Sequence, residues 1–325
     1  MHHFTCCSRG ISLIIPVYNR EDLIGETIDC ALKQNQSFSE IIVVNDGSSD
    51  GTGKILKEFS KYIRVIHTSN QGVQAARNTG VAASKTNLVA LCDSDDLLLP
   101  SYVETIYPWL EKRKEIDILY CNFLNFTDKK FTADKFSLAP KFFFAEAEKE
   151  NEFLFNIPDL YKRSLNFQPF FSTGVAFRKS FYMRIGGYDT RFNRVGAEDW
   201  EFTLRAILAG NVAACTTPLC HIRRHLGNDS HNALKMSLGE SEILEFSLLN
   251  HDGAEPFKKE VLETIDRRRL NAFNSAFAAG QFPLAKAIQK KFYKAPAEFK
   301  YWLKRFILII PNPVRSFVWR AATGQ

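Results

Sequence analysis

Three carboxylates fall within four positions, Asp93, Asp95 and Asp96, where the apolar run 88–92 ends in LVALCDSDDLLLP. A buried strand that opens into such a turn is costly, because close carboxylates repel one another unless a cation sits among them. The pattern therefore points to a hard divalent metal, which takes oxygen ligands and can bridge to phosphate. Asp93 and Asp95 are two apart, so in an extended backbone their side chains leave in the same direction. Helix capping is the plainer use for such acids. That use is already filled by Ser101 with Glu104 three residues on, a capping box just after Pro100.

A second acidic pair, Glu198 and Asp199, stands at the start of a helix expected over 200–209. The helix dipole stabilises carboxylates there, and the same position keeps an acid ionised and turned toward a cleft, as a general base requires. Arg77 is the long cation in a stretch of small residues, Ala75, Ala76, Thr79, Gly80, Ala82 and Ala83, that lets a helix lie close on a sheet. Its chemistry suits a clamp on phosphate or a nucleobase, with a plain surface arginine as the alternative. His221 and His225 are four apart in HIRRHLGNDS, but a zinc-protease reading fails because Ile222 stands where the helper Glu belongs.

The elements that must position these groups alternate. Residues 11–17 read as a buried strand, 21–34 as a helix and 41–44 as a second strand before the polar turn 45–52. A third strand at 62–67 and a small-residue helix at 72–84 lead back to the acidic strand. That rhythm predicts an α/β fold, a mostly parallel sheet with helices on both faces, whose ligands sit beyond the carboxyl ends of the strands. Asn45, Asp46, His67 and the acidic turn all fall at that edge. Neither GxGxxG nor GxxxxGK[ST] is present. Further strands are expected at 117–126 and 170–177. The Phe-rich stretch 127–168 has the length of an insertion over the site, where substrate choice would be made.

Taken in order, SLIIPVYN (12–19), EIIVVNDGSSDGT (40–52), NQGVQAARNTGVAAS (70–84), CDSDD (92–96), IGGYDTRF (185–192) and EDWEF (198–202) resemble glycosyltransferase family 2, the inverting sugar transferases of GT-A fold. The resemblance covers roughly 11–230 and implies a Rossmann-like GT-A domain over 1–230. Its nucleotide-sugar half would be 11–100 and its acceptor half 101–230, with a helical extension over 231–325. It implies that Pro16, Tyr18, Asn45, Asp46 and Arg77 hold the base and diphosphate of a nucleotide-sugar, UDP- or dTDP-linked. Asp93 would approach the ribose or donor sugar. Asp95, with Asp93, would bind Mn2+ or Mg2+ bridging to the diphosphate, and His225 would add a further metal or phosphate contact. Asp199, beside Glu198, would be the catalytic base. Position 45 is Asn where many members carry Asp. The implied activity is metal-dependent transfer to a saccharide or lipid-linked acceptor, in cell-surface polysaccharide or glycolipid synthesis.

Bulk properties are those of a large globular protein: 325 residues, 45% hydrophobic and 24% charged. The net charge of +6 is unevenly placed, with nine Lys and Arg against Glu298 alone from Gln281 onward. The main body is thus slightly acidic, which removes support for nucleic-acid binding. Seven cysteines without metal-site spacing suit a reducing, cytoplasmic setting, and the short apolar run 11–17, ended at Pro16 without a small-residue cleavage site, is expected to be a strand rather than a signal peptide. Helical spacing is expected at 234–249 and 257–279. Residues 301–320 mix aromatics with Lys and Arg, are interrupted by Pro311 and Pro313, and suit a peripheral contact with an anionic membrane at its cytoplasmic face. A helix packed on the protein is the rival reading of that tail.

Two other functions compete with this reading. A nucleotidyltransferase that makes the sugar nucleotide is disfavoured, because such enzymes resemble a Gly-rich, Arg- and Lys-bearing loop after the first strand, whereas here Pro16, Val17, Tyr18 and Asn19 follow. A carbohydrate- or membrane-binding module without turnover would need neither Asp95 nor the Glu198–Asp199 pair.

Overall fold

The structure, a computed structural model, describes residues 8–127, 130–193, 195–224, 232–312, 314, 315 and 319. The chain packs as two compact units. One comprises 1–194 with 199–227 and the other 195–198 with 228–325.

In the first unit, β1 (Ser8–Val17), β2 (Glu40–Asn45), β3 (Arg64–His67) and β4 (Thr86–Leu91) form a parallel set with the order β3-β2-β1-β4. The sheet continues through β10 (Ala176–Arg178), β6 (Ile118–Thr127), β11 (Val212–Arg223), β9 (Phe153–Phe155) and β8 (Glu148–Glu150). β10 runs antiparallel to both β4 and β6, while β6 and β11 are parallel. The long strands therefore share one direction, with β10 wedged backwards among them. β5 (Leu97–Leu98) pairs with β11, and β7 (Lys130–Asp134) with β6.

The strands read as unbroken apolar runs because both sheet faces are covered. Along β1, Leu13, Ile15 and Val17 join a core with α1 (Ile24–Leu32) and α4 (Tyr102–Lys112). Ile14 points the other way, into a core with α3 (Val73–Ala83), α6 (Lys179–Arg184) and α7 (Glu198–Ala209). The small residues of α3 matter here. A Cβ on Gly80 would lie 2.2 Å from Ile14 and 3.2 Å from Val44, so a side chain there would lift the helix from the sheet. α2 (Thr52–Glu58) follows the polar turn after β2.

Three local expectations are corrected. Residues 170–177 give a strand only at β10, because buried Phe170 stacks on Tyr120 and half-buried Phe171 packs at a tilt on Phe123, ring against ring rather than by strand pairing. Ser101 makes no side-chain cap. Glu104 accepts instead from Asn35 Nδ2 at 2.6 Å, so the capping box is absent. The extended geometry also stops at Leu91. Asp96 N donates to Asp93 O at 3.1 Å, which folds the acids into a tight turn. The stretch 127–168 contains β7, β8, β9 and α5 (Leu160–Asn166), around a cluster that includes Phe136, Phe143 and Phe170.

The second unit contains α8 (Ala233–Asn250), α9 (Lys258–Ala278), α10 (Phe282–Gln289) and α11 (Phe299–Ile309). Its core gathers Ala272, Phe273, Ala276 and Phe277 of α9 with Ala285 and Ile288 of α10 and Tyr301, Ile307 and Leu308 of α11.

Candidate active site

The first unit brings polar groups to the carboxyl ends of its parallel strands. β1 delivers buried Pro16 and, just beyond it, exposed Tyr18. Asn19 follows in the left-handed region, which Asn tolerates, and its Oδ1 accepts from Ser49 N at 2.8 Å. Its own N–H donates to Ser48 Oγ, so the turns after β1 and β2 hold each other.

Asn45 and Asp46 are both buried, and both have structural partners. Asn45 Oδ1 accepts from Ser48 N at 3.0 Å and shapes its own turn. Asp46 accepts from Thr68 Oγ1, from Gln71 N at 2.9 Å and from Gly72 N at 2.7 Å. It thereby fixes the residues that open α3, where acceptor oxygens meet otherwise unpaired backbone donors. His67 ends β3 exposed.

Arg77 is only 4% exposed and donates from Nη2 to Asp93 Oδ1 at 2.6 Å. Its guanidinium lies 4.8 Å from the centroid of the Tyr188 ring. Burial alone would lower its pKa, yet the charge of Asp93, then Tyr188 and Asp199, holds it above the ordinary value. Tyr188 answers in kind. Burial raises its pKa, Arg77 opposes that, and Asp199 and Asp93 push it further up. Two acids that lie about a hundred residues apart in the chain therefore act on one cation and one ring.

The ring is placed with care. Asn78, the residue after Arg77, donates to Tyr188 O at 2.8 Å and accepts from Tyr188 N at 2.9 Å. The backbone turns there through Gly187, whose φ is +65° and whose added Cβ would meet Asn78 Oδ1 at 2.6 Å. Arg205 of α7 holds the same turn, donating to Gly187 O at 2.7 Å and to Ile185 O, while Glu201, also on α7, accepts both of its remaining bonds at 2.8 Å. Asp199 is the second residue of α7 and is half-buried. Glu198 opens the same helix and packs with the second unit.

The acidic turn has its own supports. Thr173 Oγ1 accepts from Asp93 N at 3.0 Å and donates to Asp96 Oδ2 at 2.6 Å. Arg223 donates its N–H to Asp96 Oδ1 at 2.9 Å and its Nε to Asp95 O at 3.0 Å. Asp96 is thus a buried structural acid. Burial first, then Asp95 and Asp93, raise its pKa well above the carboxylate range. Asp95 keeps a looser ion pair, 3.5 Å from Arg20 Nε.

No group of three or more His, Cys, Asp or Glu suited to a metal occurs among the described residues. A magnesium-like ion asks less of the protein, since one or two carboxylates suffice when substrate phosphates complete its shell. Asp95 and Asp93 offer such hard oxygen donors. His225 lies outside the described residues.

The profile of Glycosyl transferase family 2 matches residues 12–186. The chain belongs to that family. A second profile, described as the N-terminal domain of galactosyltransferase, matches 154–225. Among relatives, EpsH of Bacillus subtilis (strain 168), which carries a glycosyltransferase name, is 33% identical over 67% of this chain and 62% of its own length. The chain therefore spans under two thirds of that relative. Among solved structures, S. aureus TarS in complex with UDP has a TM-score of 0.62 at 18% identity, covering 97% of this chain and 88% of that one. The mannosyltransferase PcManGT of Pyrobaculum calidifontis, in complex with GDP-Man and Mn2+, has a TM-score of 0.54 at 15% identity, covering 97% and 85%. Both likenesses are of fold. They agree with the mostly parallel sheet and the C-terminal helices of this family 2 chain.

Several working residues left little trace in the sequence. Asn78 and Tyr188 sit inside motifs whose other members drew attention. Glu201 and Arg205 could have been found as an i, i+4 pair. In HIRRH the histidines stand out, yet Arg223 between them fastens the acidic turn. Thr173 carries no sequence signal.

Proposed function

We propose that this family 2 chain is a metal-dependent inverting glycosyltransferase that moves a sugar from a nucleotide-sugar to a saccharide or lipid-linked acceptor, in polysaccharide or glycolipid synthesis. The observation that carries this reading is buried Arg77 at the carboxyl edge of the sheet, paired with Asp93 at 2.6 Å and lying 4.8 Å from the Tyr188 ring, with the charge of Asp199 felt by the same two groups.

The residues divide the work. Arg77, buried and held charged, offers its remaining N–H groups to the donor's diphosphate or base. Pro16, Tyr18, Asn45 and Asp46 line or shape the nucleotide edge, and Asp93 orients Arg77. Asp95 would hold Mn2+ or Mg2+, which when bound neutralises charge developing on the leaving diphosphate. Asp199 accepts the proton of the acceptor hydroxyl from the face opposite the leaving group, so one displacement inverts the anomeric carbon. The bound ligands of structural neighbours, UDP in TarS and GDP-Man with Mn2+ in PcManGT, support a nucleotide-sugar donor and a divalent ion. We favour a UDP- or dTDP-sugar. A cytoplasmic site of action is supported by the free thiols of Cys30, Cys92, Cys121, Cys215 and Cys220.

The test separates binding from transfer. A thermal-shift screen of nucleotide-sugars with Mn2+ identifies the donor, because a ligand that binds only the folded state raises its stability. With that donor, Asp199→Asn is expected to keep the shift and lose transfer by roughly 100- to 10,000-fold. Wild-type turnover in Asp199→Asn would remove the base assignment.

A further inference from the structure

We infer that α11 is a membrane-docking helix that seats the second unit on a bilayer rich in anionic phospholipid. The helix has two apolar sides. Tyr301, Ile307 and Leu308 face inward and complete the core of the unit. Phe299, Trp302, Leu303, Phe306 and Ile309 recur at helical spacing on another side and face outward, with Phe299 80%, Phe306 64% and Ile309 71% exposed. At 3.6 residues per turn these five occupy a single band about 120° wide. Isolated exposed apolar residues need no explanation, but a contiguous aromatic and aliphatic stripe marks an interaction surface.

Charge selects the partner. Exposed Lys300 and Arg305 border the stripe on its two sides, and the Arg305 guanidinium lies 4.9 Å from the centroid of the Trp302 ring. Lys290, Lys291 and Lys294 precede the helix and are exposed, and Glu298 is the one acid from 290 to 315. Lys304 is turned inward, donating to Asn274 Oδ1 at 2.6 Å, and is spared from this role. A second copy docking through the same stripe would bring Lys300 and Arg305 against their own kind, which like-charge repulsion disfavours. A lipid interface instead takes the rings at the level of the headgroups and the cations on phosphate. No helix among the described residues is long and apolar enough to cross a membrane, so the contact is one of lying on the surface.

The experiment uses the full chain and vesicles of phosphatidylcholine with 30% phosphatidylglycerol, read by co-sedimentation and compared with pure phosphatidylcholine. Wild type is expected to sediment with the anionic vesicles, at least tenfold more weakly with the neutral ones, and less as salt is raised. Trp302→Ser with Phe306→Ser is expected to lower binding at least tenfold. Lys300→Glu with Arg305→Glu should do so through charge alone. All four side chains are exposed, so far-ultraviolet circular dichroism should be unchanged. Equal partition of wild type and both variants, or a wild type that stays in the supernatant, overturns the proposal. So does light scattering that shows a dimer lost in the serine variant without any vesicle binding.

Discussion

Arg77 is buried with one tight carboxylate partner, and that state has a measurable cost if disturbed. Removing one member of a buried ion pair leaves the other uncompensated, so Arg77→Met is expected to destabilise the first unit by about 3–5 kcal/mol in urea unfolding. Asp95 is different. Its charge lies 3.5 Å from Arg20 Nε at the mouth of the site, and Asp95→Ala should abolish the Mn2+-dependent part of the donor-induced thermal shift while the metal-free part remains. An intact metal-dependent shift in that variant would move the ligand role elsewhere. A third residue tests the packing of α3. The Gln74 side chain is 1% exposed and both ends of its amide lack hydrogen-bond partners. Gln74→Met should therefore stabilise the ligand-free protein, by roughly 1–3 kcal/mol if the full desolvation penalty is recovered.

At the scale of elements, β8 is tied to α4 by Glu150, which accepts from Trp109 Nε1 at 3.1 Å, Lys112 Nζ at 3.0 Å and Arg113 Nε at 2.7 Å. Those bonds, Arg113 first, lower its pKa from 4.5 to about 2. A depressed carboxylate stabilises the fold above its unfolded pKa, and that contribution fades as pH falls through the folded value. The melting-temperature gap between wild type and Glu150→Gln should accordingly be full above pH 4.5 and shrink toward pH 2. A gap that is constant across that window would mean the network is idle. The elements themselves were largely legible before any coordinates, because β1, β2, β4 and the small-residue helix α3 declare themselves by apolar runs and spacing. The failures share a cause. Apolarity reports burial and not pairing, so Phe170 and Phe171 read as the start of a strand although they pack ring against ring on Tyr120 and Phe123. Likewise Ser101 and Glu104 have the spacing of a cap, but Asn35, 69 positions away, offered Glu104 a partner the local pattern could not reveal. The site was legible to the same depth. Arg77, Asp93 and Asp199 could be singled out by type and position. Thr173, Asn78 and Arg223 could not, because their roles exist only once distant strands are side by side.

For the whole molecule, the division into two units with separate cores predicts separable responses. Phe273→Ala, in the core of the second unit, should cost about 3–5 kcal/mol there and leave the donor-induced shift of the first unit in place. Within the first unit, the backward course of β10 has a consequence for engineering. A strand that returns against its neighbours delivers the residues before it to the edge where the forward strands finish, and so Thr173 can latch the acids from two directions. Chimeras that exchange the 130–169 excursion with a relative would keep that latch and retain a working donor end. A splice point moved past Ser172 would swap the fastener itself, setting a hard boundary for recombination in this part of the chain.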